Sequence, residues 1–184
     1  MKRGRAKDQL TGGSGDVNPQ TVSVRVTQAV PTTTILAQFP IPIPRLPTRE
    51  GKNLVIELLW VEYFELSAYQ PVLNTTAFTL CLLTTTGALS SSIALALLDP
   101  RSLSQYYRAN VNGANIDGVS NTQQYFIDDL TDGAGHGLLL ATDQFYLQLY
   151  SLNLGAPADV VVKFAYRWKE VSLVEYIGIV QSQQ

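Results

Sequence analysis

Lys2, Arg3, Arg5 and Lys7 put four cations into the first seven residues, with no acid among them. Side chains of this kind on a flexible segment bind phosphates by charge and counterion release, without needing a fixed geometry. The rest of the chain has the opposite character, because nine of the thirteen Lys and Arg remain there against all fifteen Asp and Glu. The net charge of −2 therefore averages a cationic tip and an acidic body. Between them lies Thr11-Gly12-Gly13-Ser14-Gly15, whose glycines oppose stable local structure. Residues 1–18 thus read as a flexible basic arm and 19–184 as one folded domain. The plainer reading of the same residues is an ordinary disordered terminus, and Lys2 to Lys7 also fits a nuclear-localisation segment under either reading.

A second group of cations sits on the clearest alternating segment of the chain. Val160, Val162, Phe164, Tyr166 and Trp168 share one strand face, and Val161, Lys163, Ala165, Arg167 and Lys169 share the other. Lys163, Arg167 and Lys169 are therefore candidates for a second phosphate-facing surface, weighed equally against a solvated strand face. Tyr106, Tyr107 and Arg108 form an aromatic-basic triplet that could stack a base, although packing is the more common fate of tyrosines.

Catalytic chemistry finds little material. The chain has one histidine, His136, set in the flexible stretch Gly133-Ala134-Gly135-His136-Gly137, and reads as a turn residue. A hydrolase needs an imidazole beside its nucleophile, and a metal-dependent barrel enzyme needs several imidazoles or carboxylates converging on the ion. The Gly-rich stretch also lacks the Lys-Ser/Thr of a phosphate loop. Asp128, Asp129 and Asp132 are close enough in sequence to share a calcium ion, but Leu130 interrupts them and a solvated loop fits better. Cys81, the single cysteine, lies in an apolar run and reads as a buried thiol. No catalytic residue, metal or cofactor is expected.

The elements that must position these residues are strands. Alternation or β-branched and aromatic content predicts strands near 20–29, 53–66, 75–86, 122–130, 137–142, 144–152 and 158–171, with a short one between Thr32 and Phe39. Leu54, Ile56, Leu58, Trp60, Glu62 and Phe64 are expected on one face of the second of these. The prolines from Pro40 to Pro47 suit an extended connection along an edge. Residues 90–98 lean to strand, 99–121 to long loops around short strands, and the apolar tail Leu173–Val180, read as lacking a cap, to an edge strand or a segment lying on a neighbour. An all-β fold of eight or more antiparallel strands results. Charged residues make up 15% of the chain and hydrophobic ones 46%, a lean surface that suggests burial against other copies. No apolar segment reads as a secretory signal or membrane span, so Asn74-Thr75-Thr76 reads as a coincidental sequon.

The basic arm, the glycine linker, the strand count, the missing catalytic set and the segment Phe164-Ala165-Tyr166-Arg167-Trp168-Lys169-Glu170-Val171-Ser172-Leu173-Val174-Glu175-Tyr176 together resemble the single jelly-roll capsid proteins of small circular single-stranded DNA viruses. The resemblance is architectural and covers the whole chain. It implies an eight-stranded antiparallel jelly-roll β-sandwich with long loops, self-assembly into a small icosahedral T=1 shell of 60 copies, and location in the virion after assembly in the host nucleus or cytoplasm. Lys2, Arg3, Arg5 and Lys7 would then contact packaged nucleic acid, single-stranded DNA ahead of RNA, without membrane involvement. The arm is shorter than in the arginine-rich members, so Lys163, Arg167 and Lys169 would have to assist. The alternative is a non-viral jelly-roll binding module of lectin-like or trimeric cytokine-like type.

Overall fold

The computed structural model describes residues 18–28, 37–42, 53–66, 76–85, 98–99, 101–111, 125–142, 144–154 and 156–182. Among these residues nine strands form: β1 (Gln20–Thr27), β2 (Ala37–Pro42), β3 (Asn53–Glu65), β4 (Thr76–Thr84), β5 (Ser102–Val111), β6 (Tyr125–Asp129), β7 (Leu138–Leu140), β8 (Gln144–Leu152) and β9 (Asp159–Val171). One helix follows, α1 (Leu173–Ser182).

The strands pair antiparallel in two sheets, ordered β1-β9-β3-β6 with β7 also on β3, and β2-β8-β4-β5. The order has a simple origin. β1 with β9, β2 with β8, β3 with β6 and β7, and β4 with β5 make a long two-stranded ribbon. Rolling that ribbon adds the β3–β9 and β4–β8 ladders and closes a jelly roll. β6 and β7 occupy successive stretches of β3, so they act as one interrupted strand and the expected eight positions are filled.

Alternation builds the core. Val22, Val24 and Val26 of β1 and Val160, Val162, Phe164, Tyr166 and Trp168 of β9 face Cys81 and Leu83 of β4 and Phe145, Leu147 and Leu149 of β8. Phe145 meets Phe164 edge to face at 5.4 Å between centroids, an arrangement favoured by the ring quadrupoles. The Cys81 thiol is fully buried, as expected, and burial pushes its pKa well up.

Four expectations need correction. The register of β3 against β9 shifts between Leu58 and Trp60, so Leu59 is a bulge that reverses the alternation. Ile56 and Leu58 point inward, and beyond the bulge Val61 and Tyr63 do so. Trp60, Glu62 and Phe64 consequently lie on the outer face, not beside Leu58. The tail is a helix, because Ser172 and Glu175 form a capping box: the Ser172 N–H donates to Glu175 Oε2 at 2.8 Å and the Glu175 N–H to Ser172 Oγ at 3.3 Å. Within 99–121, where loops were expected, β5 is a strand of ten residues. β2 begins at Ala37 and runs through Pro40 and Pro42, which an edge strand tolerates because its outer donors are not needed. Residues 86–97, covering most of the ambiguous 90–98 segment, lie outside the described residues, as does the arm to residue 17.

Candidate functional site

The β9 register sets Lys163 opposite Glu62, Arg167 opposite Glu57 and Lys169 opposite Val55 on the outer face of the first sheet. The structure thus brings the three predicted cations onto one surface, and it gives each a carboxylate. Lys163 Nζ lies 3.5 Å from Glu62 Oε2 and 5.1 Å from the centroid of the Trp60 ring. Arg167 donates to Glu57 Oε2 at 2.5 Å and to the Gly135 carbonyl at 3.2 Å, and Lys169 Nζ is 3.9 Å from Glu57 Oε1. Glu57 is completely buried and also accepts the Gly137 N–H at 3.0 Å. Burial raises its pKa, but the hydrogen bonds from Arg167 and Gly137 and the charges of Lys169 and Arg167 outweigh that and hold it below the ordinary glutamate value.

Gly137 is required there. A Cβ at this position would stand 2.1 Å from the Leu58 carbonyl oxygen. The same loop turns through Gly133 and Gly135 at φ of 80° and 88°, which L side chains rarely adopt.

Arg25 belongs to the same face, opposite Val161, although nothing in its local sequence marks it. It forms a forked pair with Asp159, which also accepts from Thr27 Oγ1 at 3.0 Å. The hydrogen bond from Arg25 is the main reason the Asp159 pKa is lowered. Four cations and their carboxylates therefore make a mixed lattice. A phosphate arriving here would compete with Glu57, Glu62 and Asp159, and the exposed parts of Arg25, Lys163 and Lys169 would meet it before Arg167.

The other candidates separate. Tyr106 and Arg108 point inward and Tyr107 outward onto Phe78, so the triplet makes no stacking platform. Instead Glu65, fully buried, accepts from Arg108 Nη1 at 2.9 Å, Tyr106 Oη at 2.9 Å and Thr79 Oγ1 at 3.2 Å, tying the two sheets together. Strand alternation also divides the aspartates. Asp128 accepts from Ser104 at 2.7 Å, Asp129 closes a turn with Thr131, and Asp132 accepts the N–H groups of Ala134 and His136 and contacts His136 Nδ1 at 3.0 Å. Among the described residues no three His, Cys, Asp or Glu side chains converge on a metal position. Lys2, Arg3, Arg5 and Lys7 lie outside the described residues.

No family model and no curated protein matches the sequence. Solved structures do resemble the fold. The VP1 protein of Trichodysplasia spinulosa-associated polyomavirus, in complex with 3'-sialyllactose, superposes with a TM-score of 0.51 at 12% identity, covering 88% of this chain and 97% of that one. Merkel cell polyomavirus VP1, in complex with disialyllactose, gives 0.50 at 10% identity, covering 89% and 98%. At such identities the likeness shows the fold, a jelly roll of the kind found in viral capsid proteins.

Proposed function

We propose that the chain is a viral coat protein that assembles into a closed shell around nucleic acid. The observation that carries this reading is the rolled-ribbon sandwich, which superposes on two viral VP1 proteins over nearly nine-tenths of its length. The low charge content supports it, because apolar surface is then covered at subunit contacts. Single-stranded DNA as the packaged species, and a 60-copy shell, rest on the sequence resemblance to coat proteins of small circular single-stranded DNA viruses. The polyomavirus likeness supports a coat protein without favouring that genome.

In this reading Lys2, Arg3, Arg5 and Lys7 make the first phosphate contacts. Lys163, Arg167 and Lys169 contribute second, to the extent that phosphate displaces Glu57 and Glu62. Assembly and polyanion condensation are the whole mechanism, with no covalent step. The test is deletion of residues 2–7. Shells should still form, with a lower ratio of absorbance at 260 to 280 nm; an unchanged ratio would remove the arm from the account. A lectin-like or cytokine-like module would instead stay small and indifferent to nucleic acid.

A further inference from the structure

Two groups of large apolar side chains stay uncovered on opposite ends of the first sheet. At one end β6 exposes Tyr125 (57%) and Ile127 (48%), while Phe126 between them points to the other face, 6.4 Å from the Tyr63 ring. Tyr125 and Ile127 lie on the outer face, opposite Phe64 and Glu62 of β3. At the other end α1 exposes Leu173 (60%), Val174 (80%) and Ile177 (47%). These three fall within one third of the helix circumference, while Tyr176, Ile179 and Val180 on the adjoining third are half-buried where the helix meets β3 and β7. The apolar residues thus span more than half of the circumference, wider than the one stripe that packs on β3 and β7, while Glu175, Gly178 and Ser182 share the remaining face.

The patches are distinct. Tyr125 stands opposite Phe64, whereas α1 leaves β9 beyond Val171, opposite Asn53. Eleven residues of β3 separate those points, about 35 Å of strand. Resting on the coat-protein reading, we propose that the patches are the two halves of one contact between successive copies, the α1 face of one chain seated on the β6 edge of the next.

Chemistry selects this occupant. α1 carries Glu175 and no Lys or Arg, so it offers nothing to a phosphate backbone, and helices that lie on membranes are rich in basic residues. Area selects it as well. At about 200 Å² per large residue, Tyr125 and Ile127 leave roughly 200 Å² uncovered and the three α1 residues roughly 370 Å². Together they supply the apolar centre of a standard contact of about 1,600 Å². A two-fold contact using either patch alone would leave the other in water, whereas a head-to-tail contact covers both and, where its rotation closes, makes a ring.

The experiment uses full-length chains carrying Val174→Gln with Ile177→Gln, or Tyr125→Thr with Ile127→Thr, beside the unaltered chain. Circular dichroism first establishes that both variants fold. In sedimentation velocity the unaltered chain should give particles and each variant alone a monomer. An equimolar mixture should give a 1:1 dimer, because each variant retains the half that the other lacks. A mixture that stays monomeric, or variants that assemble like the unaltered chain, would overturn the contact while leaving the coat-protein reading standing. An unaltered chain that stays monomeric would overturn both.

Discussion

Replacing Arg108 by methionine isolates the energetics of the ion pair that, among the described residues, is buried between the sheets. Glu65 has no exposure, and its carboxylate is satisfied by Arg108, Tyr106 and Thr79. Methionine keeps the apolar stem but leaves a buried carboxylate with only neutral donors. Removing one partner of such a pair costs about 3–5 kcal/mol, because the remaining charge is stranded away from water. For a domain of this size that is a fall in Tm of roughly 6–20 °C. Glu65→Gln combined with Arg108→Met removes both charges, and the glutamine carbonyl can still accept from Tyr106 while its amide donates to the Thr79 hydroxyl. The double variant should therefore recover to within about 1–2 kcal/mol of the parent. Urea unfolding of unassembled subunit, followed by the fluorescence of the buried Trp168, gives all three values. A single variant that loses under about 1 kcal/mol, or a double variant no better than the single, would refute this reasoning.

Further outcomes follow from the same geometry. Gly137→Ala should prevent β7 from docking on β3, seen as insoluble or unfolded protein, since its Cβ meets Leu58 backbone; Gly178→Ala has open space and should stabilise by about 0.5–1 kcal/mol in thermal unfolding. Glu57 and Asp159 have folded pKa values below their unfolded ones, so their contribution is present at neutral pH and is lost as pH falls through the folded values. Asp159→Asn should accordingly flatten the acid limb of a stability-against-pH curve, and an unchanged limb would argue against the Arg25 pair. Glu62→Gln removes the carboxylate beside Lys163 and should raise the nucleic acid retained by particles as salt is increased; equal retention would assign β9 no part in packaging.

Much of the fold is legible because period two survives in the residue types. β9 alternates without interruption, and its apolar residues are the core that the structure shows. β3 defeats the same rule because Leu58 and Leu59 are both apolar, so no residue type marks the bulge between them. The capping box Ser172-Leu173-Val174-Glu175 was readable, but the apolar residues that follow show no one-sided period, and the eye takes such a run for a strand. The cations of β9 were legible as a face, but their neutralisation was not. Arg167 and Glu57 are 110 residues apart, and only the β3–β9 register brings them together. Glu65 and Arg108 were hidden for a similar reason, since Glu65 is one of three glutamates in β3, Arg108 is the single charge of β5, and each acquires its partner from the opposite sheet.

Assembly is the central claim, and negative-stain electron microscopy of purified full-length protein tests it most directly. Uniform closed particles are expected, with a raised 260 to 280 nm absorbance ratio where nucleic acid is enclosed. Protein that stays monomeric or in small oligomers at every ionic strength tried would contradict the coat-protein reading and favour a jelly-roll binding module.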